Sequence, residues 1–189
     1  MHPILRMSEG NENMIKTKLF LAALLAVIAF SPRRSEGQVS SPPARAACKF
    51  ADGKTVSVRY SSPRMRGRKI FGDLVPYGEV WRAGADDATT FAPNVNVMVG
   101  GKNIPAGNYT MFALPTPGKW TLIISKQIGE WGIPYPGEQF DLARMEMKVG
   151  KLDARLENFT ISFDQKEIAC TMKLDWETTR ASIDISEKK

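Results

Sequence analysis

Histidine is almost missing from this chain: His2 is the only one in 189 residues, and it stands ahead of an N-terminal apolar run. If that leader is removed, Ser-His-Asp and Cys-His catalysis, His-ligated zinc or iron, and histidine general-base chemistry near neutral pH are all excluded. Cysteine is scarce as well. Cys48 and Cys170 are too few for a thiolate metal cage and do not make a Cys-x-x-Cys redox pair. No glycine-rich phosphate loop precedes a helical stretch, and the spaced acidic pattern of a calcium loop is absent. The pattern calls for no metal and no cofactor. Basic residues are interleaved with acids rather than clustered with aromatics, which leaves little support for nucleic-acid binding.

What is present at the start is a sorting signal. Lys16 and Lys18 lead into the twelve apolar residues Leu19 to Phe30, followed by Ser31-Pro32. As a helix this run covers about 18 Å, short of the roughly 30 Å hydrocarbon core, so it has the length of a signal peptide rather than an anchor. Residues 1–37 are assigned to the signal-peptide region, with Met14 as the expected start. Cleavage follows Gly37 or Ala46, and no membrane span is left after it. Loss of residues 1–37 removes five basic and three acidic residues and lowers the formal net charge from +6 to +4. A periplasmic or secreted protein is expected. In such a compartment Cys48 and Cys170 are expected to pair, two buried free thiols being the alternative. The bridge would close a loop of 122 residues, worth about 4 to 5 kcal/mol in the chain-entropy view.

Residues 38–47, rich in Ser, Pro and small residues, resemble a flexible leader, and residues 48–189 a single domain. Within it the dominant period is two. Val56, Val58 and Tyr60 alternate with Thr55, Ser57 and Arg59, and Val95, Val97 and Val99 with Asn94, Asn96 and Met98. Similar runs occupy 109–114, 120–124, 159–163 and 170–176. Turn signals at Asp52-Gly53, Gly100-Gly101, Pro105-Ala106-Gly107 and Pro117-Gly118 separate strands at hairpin spacing. Residues 141–148 fit both a helix face and a strand and are read as strand. Inward positions are even from Cys170 to Trp176 and odd at Ile183 and Ile185, which requires a bulge near Thr178-Thr179-Arg180. The expected fold is all-β: an antiparallel sandwich or jelly-roll-like barrel of about eight to ten short strands.

The segment Ser61 to Pro93 is the least explicable as scaffold. It gathers Arg64, Arg66, Arg68, Lys69 and Arg82 with Tyr77, Trp81 and four acids, punctuated by Gly and Pro. Long irregular stretches in compact domains are commonly functional loops. Arg64, Arg68, Trp81, Arg82 and Asp86 are therefore expected to converge on one ligand-binding depression, the alternative being an arginine-carboxylate lattice that pins a crossover. A second loop, Trp131 to Gly137, offers a stacking face for a sugar or peptide, or a cap on the core. Carboxylate chemistry survives the absences above. Its candidates are Asp73, Glu79, Asp86, Asp87, Glu130, Glu138 and Asp141, but one sequence does not say which face each other. No catalytic residue is assigned. The leading expectation is a non-catalytic binding or structural module for an envelope glycan or peptide; the rival is a carboxylate-based hydrolase such as a glycosidase. The pattern is silent on oligomeric state.

Three stretches, YSSPRMRGRKIFGDLVPYGEVWRAGADDATTF, IPAGNYTMFALPTPGKWTLIISK and CTMKLDWETTRASIDI, resemble the bacterial exported family catalogued as domain of unknown function 2911, DUF2911. The likeness covers roughly residues 45–186. It implies a bacterial source, export and a recurrent loop around Arg64 to Phe91, and it carries over no activity, cofactor or catalytic residue.

Overall fold

The structure, a computed structural model, describes residues 41–166 and 168–188. The signal-peptide region, the expected start at Met14 and the Gly37 cleavage position lie outside them. Nine strands make one antiparallel sheet: β1 (Pro43–Lys49), β2 (Thr55–Ser61), β3 (Thr90–Pro93), β4 (Val97–Val99), β5 (Lys102–Ile104), β6 (Tyr109–Thr116), β7 (Lys119–Ser125), β8 (Asp141–Gln165) and β9 (Ala169–Glu187). Their order is β1-β2-β3-β6-β7-β8-β9-β4-β5. Among the described residues the only helical element is a 3-10 turn at Glu138–Phe140. The all-β antiparallel class is as the alternation predicts, but the sheet is open and its ring of hydrogen bonds is not closed.

Three expectations are corrected. The first strand begins at Pro43, not at Cys48: Ala44, Ala46 and Cys48 of β1 turn inward and pair with Tyr60, Val58 and Val56. Residues 43–47 of the stretch that resembled a leader belong to an end strand. The strands are also not all short, since β8 spans 25 residues and β9 spans 19. Residues 141–147 of β8 pair with β7 and residues 148–165 with β9, so one chain segment carries the sheet around a bend. Across that bend Cys48 of β1 is disulfide-bonded to Cys170 of β9, with Cα atoms 6.3 Å apart. Asn94 and Asn96, expected in a strand, lie in the turn before β4. Their side-chain oxygens accept from the Thr55 and Ala106 amides at 2.7 and 2.9 Å, an alternative to ladder pairing that short polar side chains favour.

The inward face of β9 switches as the parity requires, and the switch sits at Glu177, whose φ is +56°, one residue ahead of the expected site. Cys170, Met172, Leu174 and Trp176 are buried before it; Ala181, Ile183 and Ile185 after it. The register with β8 slips there. Asp175, only 6% exposed, accepts two hydrogen bonds from Arg180 across this bulge, at 2.8 and 2.6 Å. Loss of one partner of a fully buried pair costs about 3 to 5 kcal/mol, and the more open Arg180 head reduces that. Arg180→Ala is expected to lower unfolding free energy by about 2 kcal/mol, with Arg180→Lys recovering only part because it cannot donate in parallel from a planar fork. Urea denaturation of the two variants checks this; equal stabilities for Lys and Ala would show that the paired geometry contributes nothing.

The core lies inside the bend and is aromatic at one end. Phe71, Trp81, Trp120, Phe159 and Trp176 meet there. Trp81 and Trp176 stack at 5.9 Å with 20° between planes, Phe71 meets Trp120 edge-on at 4.8 Å, and Trp81 meets Phe159 at 4.9 Å. Phe71 and Trp81 come from no strand; they are delivered by the long segment between β2 and β3.

Candidate functional site

That segment, residues 62–89, plugs the aromatic end of the fold. One end is sewn to β8: the Met65 amide donates to the Glu157 carbonyl, the Phe159 amide to the Pro63 carbonyl, and the Ser62 hydroxyl to the Phe159 carbonyl. The other end lies beside β6, where Trp81 and Ala113 exchange backbone hydrogen bonds at 2.8 Å in both directions. Met65, Ile70, Phe71, Val75 and Ala83 are buried. The path demands unusual backbone: Arg66, Ala83 and Asp86 hold φ of +50°, +49° and +54°. Left-handed non-glycine residues cost about 1 kcal/mol or more each and persist only where surrounding structure fixes them.

The burial of the apolar residues leaves the arginines at the mouth of the plug. Arg64, Arg66, Arg68 and Arg82 line a depression of about 440 Å³ whose floor includes Trp81, Trp176 and Val75, with Leu74 and Ile133 on its sides. No Asp or Glu lines it. Among the described residues, none of these four guanidinium groups has a carboxylate oxygen within 4.0 Å. Arg68 is held in place by carbonyls, its Nε donating to Met65 and its Nη2 to Arg64 at 3.0 and 2.8 Å. Arg64 Nε is buried without a hydrogen-bond partner. Arg82 Nη1 donates to the Trp131 carbonyl at 3.1 Å, and the guanidinium sits 5.3 Å from the centre of the Trp131 ring. Burial pulls the Arg82 pKa down, and the nearby charges of Asp86 and Asp87 oppose that.

Arg64, Arg68, Trp81 and Arg82 share one depression, while Asp86 lies outside its lining and acts on Arg82 through charge alone. The lattice alternative does not describe this rim, because the acids of the segment do not pair with its arginines. Trp176 and Ile133 were not foreseen here, although the even parity of Trp176 pointed it inward.

The loop from Lys126 to Phe140 crosses the outer face of β6 and β7 and divides its two aromatic residues. Tyr135 turns in, meeting Phe112 edge-on at 5.3 Å; its hydroxyl donates to Asp141 at 2.6 Å and accepts from Arg144 at 3.2 Å. Trp131 stays outside, 57% exposed. It helps to line a second depression of about 610 Å³ that also holds Asp87, Glu130, Asn108, Tyr109, Thr110 and Arg59. Of the seven carboxylates open to acid-base work, only Asp87 and Glu130 share a depression; Glu138 and Asp141 are tied to Arg144 at 3.0 and 2.7 Å. Among the described residues no group of three or more His, Cys, Asp or Glu stands together to hold a metal ion. Among the described residues no helix is long and apolar enough to cross a membrane.

A family model described as "Protein of unknown function (DUF2911)" matches residues 41–185. The chain belongs to this family. The DUF2911 region therefore starts just before β1, ends within β9 and encloses both depressions, the plug and the disulfide. No curated protein and no solved structure matches the chain.

Proposed function

We propose that this protein is an exported, non-catalytic binding module that takes an anionic component of the cell envelope in the arginine-rimmed depression. The observation that carries the reading is the rim itself: four arginines line one depression with no Asp or Glu among its lining residues. Guanidinium groups offer donors only, so the ligand they fit is an acceptor-only group, a carboxylate or a phosphate, bound through charge-assisted hydrogen bonds. The apolar floor of Trp81, Trp176 and Val75 fits the body of such a ligand. Export is supported by the signal-peptide character of Lys16 to Phe30 and by the Cys48–Cys170 bridge, which suits an oxidising compartment.

The test is a calorimetric titration of free glucuronate and of a short acidic peptide into the wild type and into Arg64→Ala. Binding that weakens at least tenfold in the variant, with an unchanged melting temperature, is the expected result. Equal binding by both proteins would remove the depression from the account.

One observation favours a second reading. Asp87 and Glu130 lie in the same depression, and a carboxylate pair across a cleft is the requirement for glycoside hydrolysis. Turnover of aryl glycosides by the wild type, lost in both Asp87→Asn and Glu130→Gln, would establish the hydrolase and overturn the non-catalytic reading.

A further inference from the structure

The two depressions are neighbours with a common wall, and their chemistries are complementary. Arg82 lines the narrower one and Trp131 the wider one, and the two residues are joined by the Arg82 Nη1 donation to the Trp131 carbonyl and by the guanidinium over the indole. Gly132 seats this ridge. A Cβ there would lie 2.9 Å from the Ala88 Cβ and 3.1 Å from the Arg82 Cβ, and its φ of +79° favours glycine. Ala88 lines the wider depression, so the turn at 131–133 rests on residues of both.

The narrower side offers charged donors over an apolar floor. The wider side offers acceptors, in Asp87 and Glu130, beside the mixed donor and acceptor groups of Asn108 and Thr110. Thr110 is only 4% exposed. Sugar hydroxyls both donate and accept, so a sugar ring needs the mixed set; an anionic group needs the donor-only set. The exposed indole of Trp131 gives the wider side a flat apolar face for the C–H side of a ring. Each depression falls within the roughly 300 to 1,000 Å³ of small-ligand sites. The acids impose a further selection, because Asp87 and Glu130 outnumber Arg59, the one cation of that lining, and so disfavour a second anion there.

From this juxtaposition the geometry points to a specific ligand class: a glycan chain in which acidic and uncharged sugars alternate, laid over the Arg82–Trp131 ridge with its acidic residue on the arginines and its uncharged neighbour on the Trp131 side. This rests on the reading of the arginine depression as an anion site and adds the second subsite and the order of the sugars.

The experiment compares four probes of defined chemistry on the full chain: free glucuronate, a tetrasaccharide of alternating glucuronate and N-acetylglucosamine, tetragalacturonate, and the tetramer of N-acetylglucosamine. The alternating tetrasaccharide is expected to bind at least tenfold more tightly than each of the other three. Asn108→Ala, on the wider side alone, should remove that advantage and leave glucuronate binding as it was; Trp131→Ala should remove it too, and because its indole also packs on the Arg82 guanidinium it should weaken glucuronate binding as well. Asp87→Asn should raise affinity for tetragalacturonate by relieving repulsion. If the alternating and uniformly acidic chains bind alike in the wild type, or if Trp131→Ala and Asn108→Ala leave the advantage intact, the ridge-spanning ligand is wrong while the anion site stands. If glucuronate and both acidic chains fail to bind, the anion site falls and this inference falls with it.

Discussion

Replacement of both Cys48 and Cys170 by alanine is expected to lower the unfolding free energy by about 5 kcal/mol. The bridge closes a loop of 122 residues, nearly all of the described domain, so its removal restores the largest chain freedom any single link here could restrict. Both side chains are fully buried, and alanine leaves no unsatisfied polar atom in their place. Because a domain's net stability is about 5 to 15 kcal/mol, such a loss brings the fold close to its unfolding threshold at growth temperature. Urea midpoints for the double variant, and for the wild type with and without reductant, measure it. A deficit below about 1 kcal/mol would mean that the open sheet holds its bend without the clamp.

Trp176→Ala is expected to cost about 3 to 5 kcal/mol, the range for deleting a large buried aromatic side chain. Trp176 is 1% exposed, stacks on Trp81, and contacts Phe71 and Phe159 at 6.3 and 5.7 Å between centroids. Its indole N–H donates to the Glu157 carbonyl at 3.1 Å, the residue whose carbonyl also receives the Met65 amide from the plug. The substitution therefore opens a void and loosens the seam that places Arg64 and Arg66. Trp176→Phe keeps most of the volume and should lose less than half as much. The discriminating measurement pairs denaturation with glucuronate titration: affinity should fall in the alanine variant even well below its melting point. Full binding by a destabilised Trp176→Ala protein would separate the floor from the ligand.

The alternation of β2 was legible because its outward residues, Thr55, Ser57 and Arg59, are polar and its inward ones are not. The great length of β8 and β9 was not. Residues 152–158 of β8 are largely exposed, so they lack an inward face to produce a period, and the parity switch at Glu177 resembles a strand end. β1 escaped notice because its inward residues are small and a proline opens it, which a sheet tolerates at an end strand. The arginines of the plug stood out by composition, and four of the five named residues do meet. Asp86, whose backbone is left-handed, lies outside the lining. The wider depression could not be read at all, since Asp87, Thr110 and Glu130 are distant in sequence and are brought together only by the way one loop crosses the outer face of β6 and β7.

An open sheet leaves two rims, and any strand with unpaired amides and carbonyls is a template for another chain. Here the rims are poor templates. β5 is three residues long, begins at Lys102 and is followed directly by Pro105. β1 begins at Pro43 and turns Arg45 and Lys49 outward. Short length, proline and exposed charge are the means by which natural sheets block edge-to-edge growth. The molecule thereby keeps its sheet open without offering an edge on which copies could polymerise.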